Sequence, residues 1–140
     1  LIIDNKSQFF NYILCYNFKM DVGSVIKNLK DNFYKRFDRN DEVRFLDSSS
    51  INHAICLEIA EATFKNELIS YEDLCHIIPR KIGARSTILN TLNLGVSKGF
   101  FIKKNSIEDK RKKTYRLSEK FQESIKEWIT ELKNVTSLIE

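Results

Sequence analysis

The sequence predicts a mainly α-helical chain carrying one small β-hairpin towards its C-terminal end. Three observations lead there. The 140 residues include one proline and four glycines, too few turn-formers for a chain of many tight hairpins. Apolar residues recur at helical spacing along most of the length. A short apolar run, Phe100-Phe101-Ile102, is followed after a charged stretch by Thr114-Tyr115-Arg116-Leu117, the pattern of two strands joined by a loop.

Phe9, Phe10, Ile13, Leu14 and Phe18 form a helical stripe over residues 7–19. Gly23 is expected to break or kink the chain, after which Val25, Ile26, Leu29, Phe33 and Phe37 continue the period over 24–37. Ser48, Ser49 and Ser50 offer N-caps for a helix over 51–67, with Ile51, Ile55 and Ile59 spaced by four. Ser70 and Asp73 make a capping-box pair, and Ile69 and Leu74 flank it as a hydrophobic staple. This short helix must end by Ile78, because Pro79 disfavours helical geometry in the residue before it. Residues 79–83 form a turn. A second helix follows over 84–98, with Ile88, Leu89, Leu92 and Val96 inward and Ser86, Asn90, Asn93 and Ser97 on the opposite face. Gly99 is placed to end it in a left-handed conformation. Residues 103–113 are a polar loop between the strands. Ser118 caps a last helix whose Phe121, Ile125, Trp128, Leu132, Val135 and Ile139 are spaced 4, 3, 4, 3, 4, a heptad-like seam suited to packing along another helix.

The chain is long enough for one domain with a real core, and its composition, 42% hydrophobic and 30% charged, is ordinary for a soluble globular protein. No apolar run approaches the roughly 18 residues that span a bilayer, and Leu1-Ile2-Ile3 is too short for the core of a secretion signal, so no membrane partner is expected. Three cysteines without framework spacing point to a reducing, cytoplasmic setting. The net charge of +4 hides a segregation. Residues 79–120 hold twelve Lys and Arg against three Asp and Glu, whereas residues 21–78 hold seven against eleven. A field concentrated in this way attracts a polyanion.

Motifs for catalysis are missing: there is no nucleophile elbow, P-loop, glycine-rich dinucleotide turn or HExxH. Asp38, Asp41, Glu42 and Asp47 read as a solvated helix-loop face and not as a catalytic pair, so no enzyme is expected. His53, Cys56, Cys75 and His76 are four possible zinc ligands. His53 and Cys56 share a helix face, but adjacent Cys75 and His76 cannot easily point the same way, and neither a metal nor another cofactor is expected.

A short helix, a turn, a second helix and a strand pair with a basic loop make a winged helix-turn-helix, and the excess positive charge falls on that same region. A helix fits the major groove of DNA, where base edges carry a full donor and acceptor code. Ser86 and Asn90 are candidates to read base edges, and Arg85 to read guanine or hold a phosphate. Arg80, Lys81 and Thr87 stand where the turn would meet the DNA backbone, which gives affinity and register. Lys103 and Lys104 open the basic loop, and Lys110, Arg111, Lys112 and Lys113 could place a cation in the minor groove.

The stretch from Gly99 to Arg111, followed by Thr114 to Ser118, resembles the wing of the MarR family of regulators: a glycine, two apolar strand residues, a basic pair, Asp109-Lys110-Arg111 as the Asp-x-Arg of the wing tip, and a strand running into a Leu-Ser helix start. Ser86-Thr87-Ile88 resembles the start of that family's recognition helix. The resemblance covers roughly residues 50–120 in motif and the outer helices in layout. It implies that Arg111 enters the minor groove, that Asp109 helps to hold the wing, and that the first and last helices interlock two subunits. Phe9, Phe10, Ile13, Phe121, Ile125, Trp128, Leu132, Val135 and Ile139 suit that last role. The implied organisation is a dimerisation segment over 1–48, a DNA-binding domain over 49–117 and a dimerisation helix over 118–140. The implied partners are double-stranded DNA with half-sites about one helical turn apart, a second copy of the chain, and a small-molecule effector in the crevice between the dimer helices and the DNA-binding lobe. Two departures stand out. The turn at 79–83 is about three residues longer than the family's, and Gly95 occupies the place of a core leucine. Cys15, between Tyr12 and Tyr16, faintly resembles the reactive cysteine of a peroxide-sensing branch, although a buried core cysteine is the favoured reading.

Overall fold

The computed structural model describes residues 21–38 and 40–136. Among them lie six helices and one hairpin: α1 (Val22–Phe37), α2 (Asp41–Asp47), α3 (Ser50–Phe64), α4 (Tyr71–Ile77), α5 (Arg85–Ser97), β1 (Phe101–Asn105), β2 (Lys113–Leu117) and α6 (Glu119–Thr136).

The sequence of α3 makes it the centre of the molecule. It buries Ile51, Ile55, Cys56, Ile59, Ala60, Ala62 and Thr63, so it is apolar on most of its circumference and needs neighbours on several sides. α2, α5 and β2 supply them. Ser49 starts the helix by accepting the N–H of Asn52 at 3.1 Å. The helix stops at Phe64, before the expected residue 67, because Asn66 adopts a left-handed conformation with φ 55°. The N–H of Asn66 then donates to Thr63 O at 3.2 Å and that of Glu67 to Ala62 O at 2.8 Å, closing the last turn. Thr63 ties this helix to the hairpin. Its buried hydroxyl donates to Ile59 O at 2.7 Å and accepts the N–H of Leu117 at 3.0 Å.

Two expectations about the N-terminal half are corrected. Gly23 neither breaks nor kinks the chain; it lies in the first turn of α1, which Asp21 caps by accepting the N–H of Ser24 at 3.3 Å. The acidic segment after Phe37 is a solvated face only in part: Asp38 and Asp41 are exposed, whereas Glu42 is buried and Asp47 half-buried. Asn40 accepts the N–H of Val43 at 3.1 Å and nucleates α2, which buries Glu42, Val43, Phe45 and Leu46. Glu42 is only 4% exposed and faces Lys120 Nζ at 3.5 Å, while Asp47 meets Arg36 at 3.6 Å. Asn40 also donates through Nδ2 to Ser124 Oγ at 2.9 Å, so the contact of α1 and α2 with α6 has a strongly polar component.

Aromatic rings join α2, β1 and α6. Phe45 lies 4.9 Å from Phe100 and 5.8 Å from Phe101, centroid to centroid, and Phe121 stacks on Phe101 at 6.2 Å and meets Phe100 edge-on at 5.9 Å. Gly95 explains how so much ring volume is accommodated. A Cβ built there would run into the ring of Phe101, so the missing side chain on α5 is the space that Phe101 fills.

β1 and β2 pair antiparallel from Phe101↔Leu117 to Asn105↔Lys113. The strands reach further into the charged stretch than expected, which makes Lys103, Lys104 and Lys113 strand residues and shortens the loop to 106–112. The segment before α4 adds a short third edge, with Tyr115 N–H donating to Ile69 O at 2.9 Å and a bridge between Ser70 and Thr114. Ser118 caps α6 as expected, accepting the N–H of Phe121 at 3.2 Å.

The heptad seam is corrected in part. Phe121, Ile125 and Trp128 belong to the chain's own core and Leu132 packs against it, because α6 lies back over the aromatic rings. Those three side chains are therefore already occupied within one chain. Val135 is also buried. Phe9, Phe10, Ile13, Cys15 and Ile139 lie outside the described residues. An open apolar stripe lies on α1, where Val22, Ile26, Leu29, Phe33 and Phe37 are each 43% to 57% exposed.

Replacing Gly95 by alanine forces the Phe101 ring to move and is expected to cost about 1–3 kcal/mol. Thermal melts should show Gly95→Ala lowering the midpoint by several degrees, with Gly95→Ala/Phe101→Leu recovering much of the loss. An unchanged midpoint in the single variant would disprove the interlock.

Candidate nucleic-acid interface

The helix-turn-helix is built from local signals. Ser70 and Asp73 form a complete capping box, with Asp73 N–H donating to Ser70 Oγ at 3.2 Å and Ser70 N–H to Asp73 Oδ2 at 2.9 Å. Ile69 and Leu74 beside it are both buried. Partial burial pushes the Asp73 carboxyl up, but the hydrogen bonds from Ser70, with the charges of Lys112 and His76, outweigh it and hold the group below its ordinary range. Ile78, ahead of the proline, leaves the helix with an extended ψ of 122°. The connecting turn is closed by Ile82 N–H donating to Pro79 O at 2.9 Å, and it crosses α3 at Gly83, where a Cβ would stand 2.6 Å from Ile51 Cδ1.

α5 turns Ile88, Thr91, Leu92 and Gly95 into the core. Leu89, expected inward, is exposed, and Val96 is half-buried. Gly99, at φ 78°, ends the helix as expected: its N–H donates to Val96 O at 3.1 Å and that of Phe100 to Gly95 O at 2.8 Å. At the other end the N-cap residue is Ala84, which has no side chain to offer, so the first N–H groups of α5 have no capping partner. Ser86, Thr87, Asn90 and Asn93 are exposed and make no side-chain hydrogen bond to the protein among the described residues. Arg80 and Lys81 stand exposed on the turn.

Arg85 is placed differently from Ser86 and Asn90. Its Nη2 pairs with Glu72 at 2.7 Å, its guanidinium lies 5.7 Å over the Tyr71 ring, and the Tyr71 hydroxyl donates to its carbonyl at 3.2 Å. It braces α4 against α5. Glu72 and Tyr71 escaped the sequence reading because their partner stands thirteen and fourteen residues on, a separation that no helical period connects.

At the wing tip Asp109 Oδ1 accepts the N–H of Arg111 at 2.9 Å, its carbonyl accepts that of Lys112 at 3.0 Å, and Ser106 N–H donates to Lys112 O at 2.8 Å. Lys110, Arg111 and Lys112 project from this turn, fully outside the ion pairs of the described residues. Lys103 and Lys104 are exposed on β1. Lys113 is half-buried and donates to the Asn105 side chain within the hairpin.

The four possible zinc ligands are not brought together as a metal site: no group of three or more His, Cys, Asp or Glu among the described residues is placed to hold a metal ion. His53 meets Trp128 edge-on at 6.0 Å, and burial pushes the Cys56 thiol up. No described helix is long and apolar enough to cross a membrane.

No family model matches the chain, and no curated protein matches it. Solved structures do. The heme sensor protein PefR from Streptococcus agalactiae, determined in complex with heme, superposes with a TM-score of 0.53 at 16% identity over 96% of this chain and 78% of its own. A mutant of MepR from a multidrug-resistant clinical isolate of S. aureus gives 0.51 at 13% identity, covering 97% and 81%. A mutant of ZitR from Lactococcus lactis gives 0.51 at 17%, covering 64% of this chain, which spans 56% of the ZitR chain. The fold is the MarR-like winged helix. In this fold α4 and α5 are the helix-turn-helix, and β1 and β2 are the wing.

Because the Asp73 carboxyl is held low in the folded chain, it stabilises the fold above the ordinary carboxylate value of 3.8, and this contribution is lost as pH falls through the lowered folded value. In urea melts Asp73→Ala should cost about 1 kcal/mol at pH 7, and the gap from the parent should shrink only in strong acid. A gap that closes near neutral pH would refute the capping role.

Proposed function

We propose that this chain is a transcription regulator that binds double-stranded DNA sequence-specifically as a homodimer, with α5 in the major groove and the wing in the adjacent minor groove. The observation that carries the reading is the unspent polar surface of the helix-turn-helix and wing. Among the described residues α5 has an uncapped N-terminus, a row of hydrogen-bonding side chains with no protein partner, and cations without ion pairs on the turn before it and the hairpin after it. An uncapped helix N-terminus flanked by cations favours phosphate, and small polar side chains at groove-facing positions favour base edges.

In this reading Arg80, Lys81, Thr87, Lys103, Lys104, Lys110, Lys112 and Lys113 set affinity and register on the phosphates, Ser86 and Asn90 read bases, and Arg111 enters the minor groove from the turn that Asp109 holds. Arg85 would reach DNA only by leaving Glu72; its role is to fix the angle between α4 and α5. Residues 1–48 and 118–140 would carry subunit contact and 49–117 DNA contact, in a cytoplasmic protein without catalytic activity. The exposed stripe of α1 supports the dimer, since five large apolar side chains in one row mark a surface that associates. A small-molecule effector would enter the cleft of about 750 Å³ where the ends of α1 and α5 meet α2, lined by Phe37, Arg44, Phe45, Asn52, Lys98 and Phe100. Asp41 also lines it and pairs with Arg44 at 3.8 Å, so the aromatic walls with Lys98 suit a largely apolar molecule carrying one anionic group.

Fluorescence anisotropy against a random-sequence duplex pool, over about 50 to 200 mM salt, tests the reading. The parent should bind with a steep salt dependence. Arg111→Ala should bind more weakly with a slope smaller by about one, whereas Asn90→Ala should relax preference at one base pair at a cost of about 1–3 kcal/mol. Absence of binding by the parent at low salt would refute it. For the dimer, Ile26→Glu/Phe33→Glu should sediment as a monomer, and an unchanged sedimentation coefficient would remove α1 from the subunit contact.

A further inference from the structure

The described surface carries a second polar cluster, opposite in charge to the wing and unused by the function above. A cleft of about 330 Å³ lies between the end of α3, the loop after it and the outer face of α4. Its lining holds four carboxylates, Glu58, Glu61, Glu67 and Asp73, and no lysine or arginine. Asp73 is committed to its capping box and Glu61 pairs with Lys65 at 2.8 Å, while Glu58 and Glu67 take part in no ion pair among the described residues. Partial burial, with the charge of Glu61, pushes the Glu58 carboxyl up, so a cation arriving there would be favoured. Apolar side chains stand among these acids: Leu68 is 76% exposed and Ile77 50%. An apolar patch rimmed by one sign of charge fits a segment that is both basic and apolar.

The chain itself contains such a segment. The wing tip carries Ile107 fully exposed beside Lys110, Arg111 and Lys112. The wing of the same molecule reaches only the edge of the cleft, where the charge of Lys112 acts on Asp73; Ile107 and Leu68 both remain open to solvent, and the base of the hairpin is fixed by the Ser70–Thr114 bridge. We propose that the acidic cleft receives the wing of a second copy of this chain, Ile107 against Leu68 and Ile77 and the wing-tip cations against Glu58, Glu61 and Glu67, in a head-to-tail contact that competes with DNA. The competition rests on the reading of the wing given above; the docking does not. The contact joins two different patches, so it does not close on itself, and it adds molecules beyond the symmetric dimer. It is small and largely electrostatic, hence weak and sensitive to salt.

Sedimentation velocity of the full chain tests this. At about 50 mM salt the sedimentation coefficient should rise with protein concentration up to about 200 µM, and at about 500 mM salt it should not. Glu58→Gln/Glu67→Gln should weaken the association roughly tenfold. Lys110→Glu/Arg111→Glu should abolish it, and mixing that variant with Glu58→Lys/Glu67→Lys should restore it. No rise at low salt, or a rise that Glu58→Gln/Glu67→Gln leaves unchanged, overturns the proposal. A synthetic peptide of residues 103–113, titrated into the unaltered chain, guards against misfolded variants. Its binding should fall severalfold when Ile107 is replaced by serine. Equal binding of both peptides assigns the cleft to basic segments in general and overturns a second copy as its occupant. Adding duplex DNA should return the low-salt assembly to its base species. An assembly that persists with DNA bound overturns the competition. A chain that assembles but binds no duplex at any salt overturns the DNA-binding function and the competition together, while the salt and variant results still decide the docking.

Discussion

Phe101 closes over α5 at Gly95, in a space that a single Cβ would fill, and three further rings extend the contact to Phe45 on α2, Phe100 beside it and Phe121 on α6. Interdigitated rings of this size leave little freedom for any element they touch. Only Lys98 and the left-handed Gly99 separate α5 from Phe100, and the hairpin starts at once. α5, the wing and α6 are thus held as one piece. α5 needs this support, because its outer face, where Ser86, Thr87, Asn90 and Asn93 are exposed, contributes nothing to its packing.

The charge pattern follows the same division. Carboxylates cluster on the outer side of α3 and α4, where they cap helices or crowd one another, and cations gather on the turn, β1 and the wing tip. In the core between them Thr63 is bonded on both sides, to Ile59 O and from Leu117 N–H, while the indole N–H of Trp128 is buried without a hydrogen-bond partner among the described residues. Arg85 belongs to both surfaces. It begins α5 and yet spends its guanidinium on Glu72 and Tyr71, which braces α4 against α5 across the turn between them.

Features governed by neighbouring residues were legible in the sequence. The Ser70–Asp73 capping box, the stop before Pro79, the left-handed Gly99 and the Asp109 turn all rest on groups within a few residues of each other, and each is present. Features governed by distant partners were not. α2 is seven residues long and acidic, and nothing in its composition announces that Glu42 would be buried against Lys120. The heptad spacing of α6 correctly marks an apolar seam, but a period cannot say whether the facing surface belongs to the same chain. Phe121, Ile125 and Trp128 find theirs in Phe100, Phe101 and α3's neighbourhood. Gly95 was noticed as a gap in a leucine pattern; the compensating bulk, Phe101, lies beyond the end of the helix and is visible only in three dimensions.

Arg36 with Asp47, Glu42 with Lys120 and Asn40 with Ser124 place polar pairs where α1 and α2 meet one another and α6. Such pairs differ from interlocked rings in how they yield. Removing one member of a buried charge pair leaves the other charge uncompensated, whereas withdrawing a ring from its socket leaves a void. α2 carries both kinds of contact, with Phe45 in the ring cluster and Glu42 on Lys120. It therefore fixes the outer helices in two ways, the rings by bulk and the charge pairs by direction.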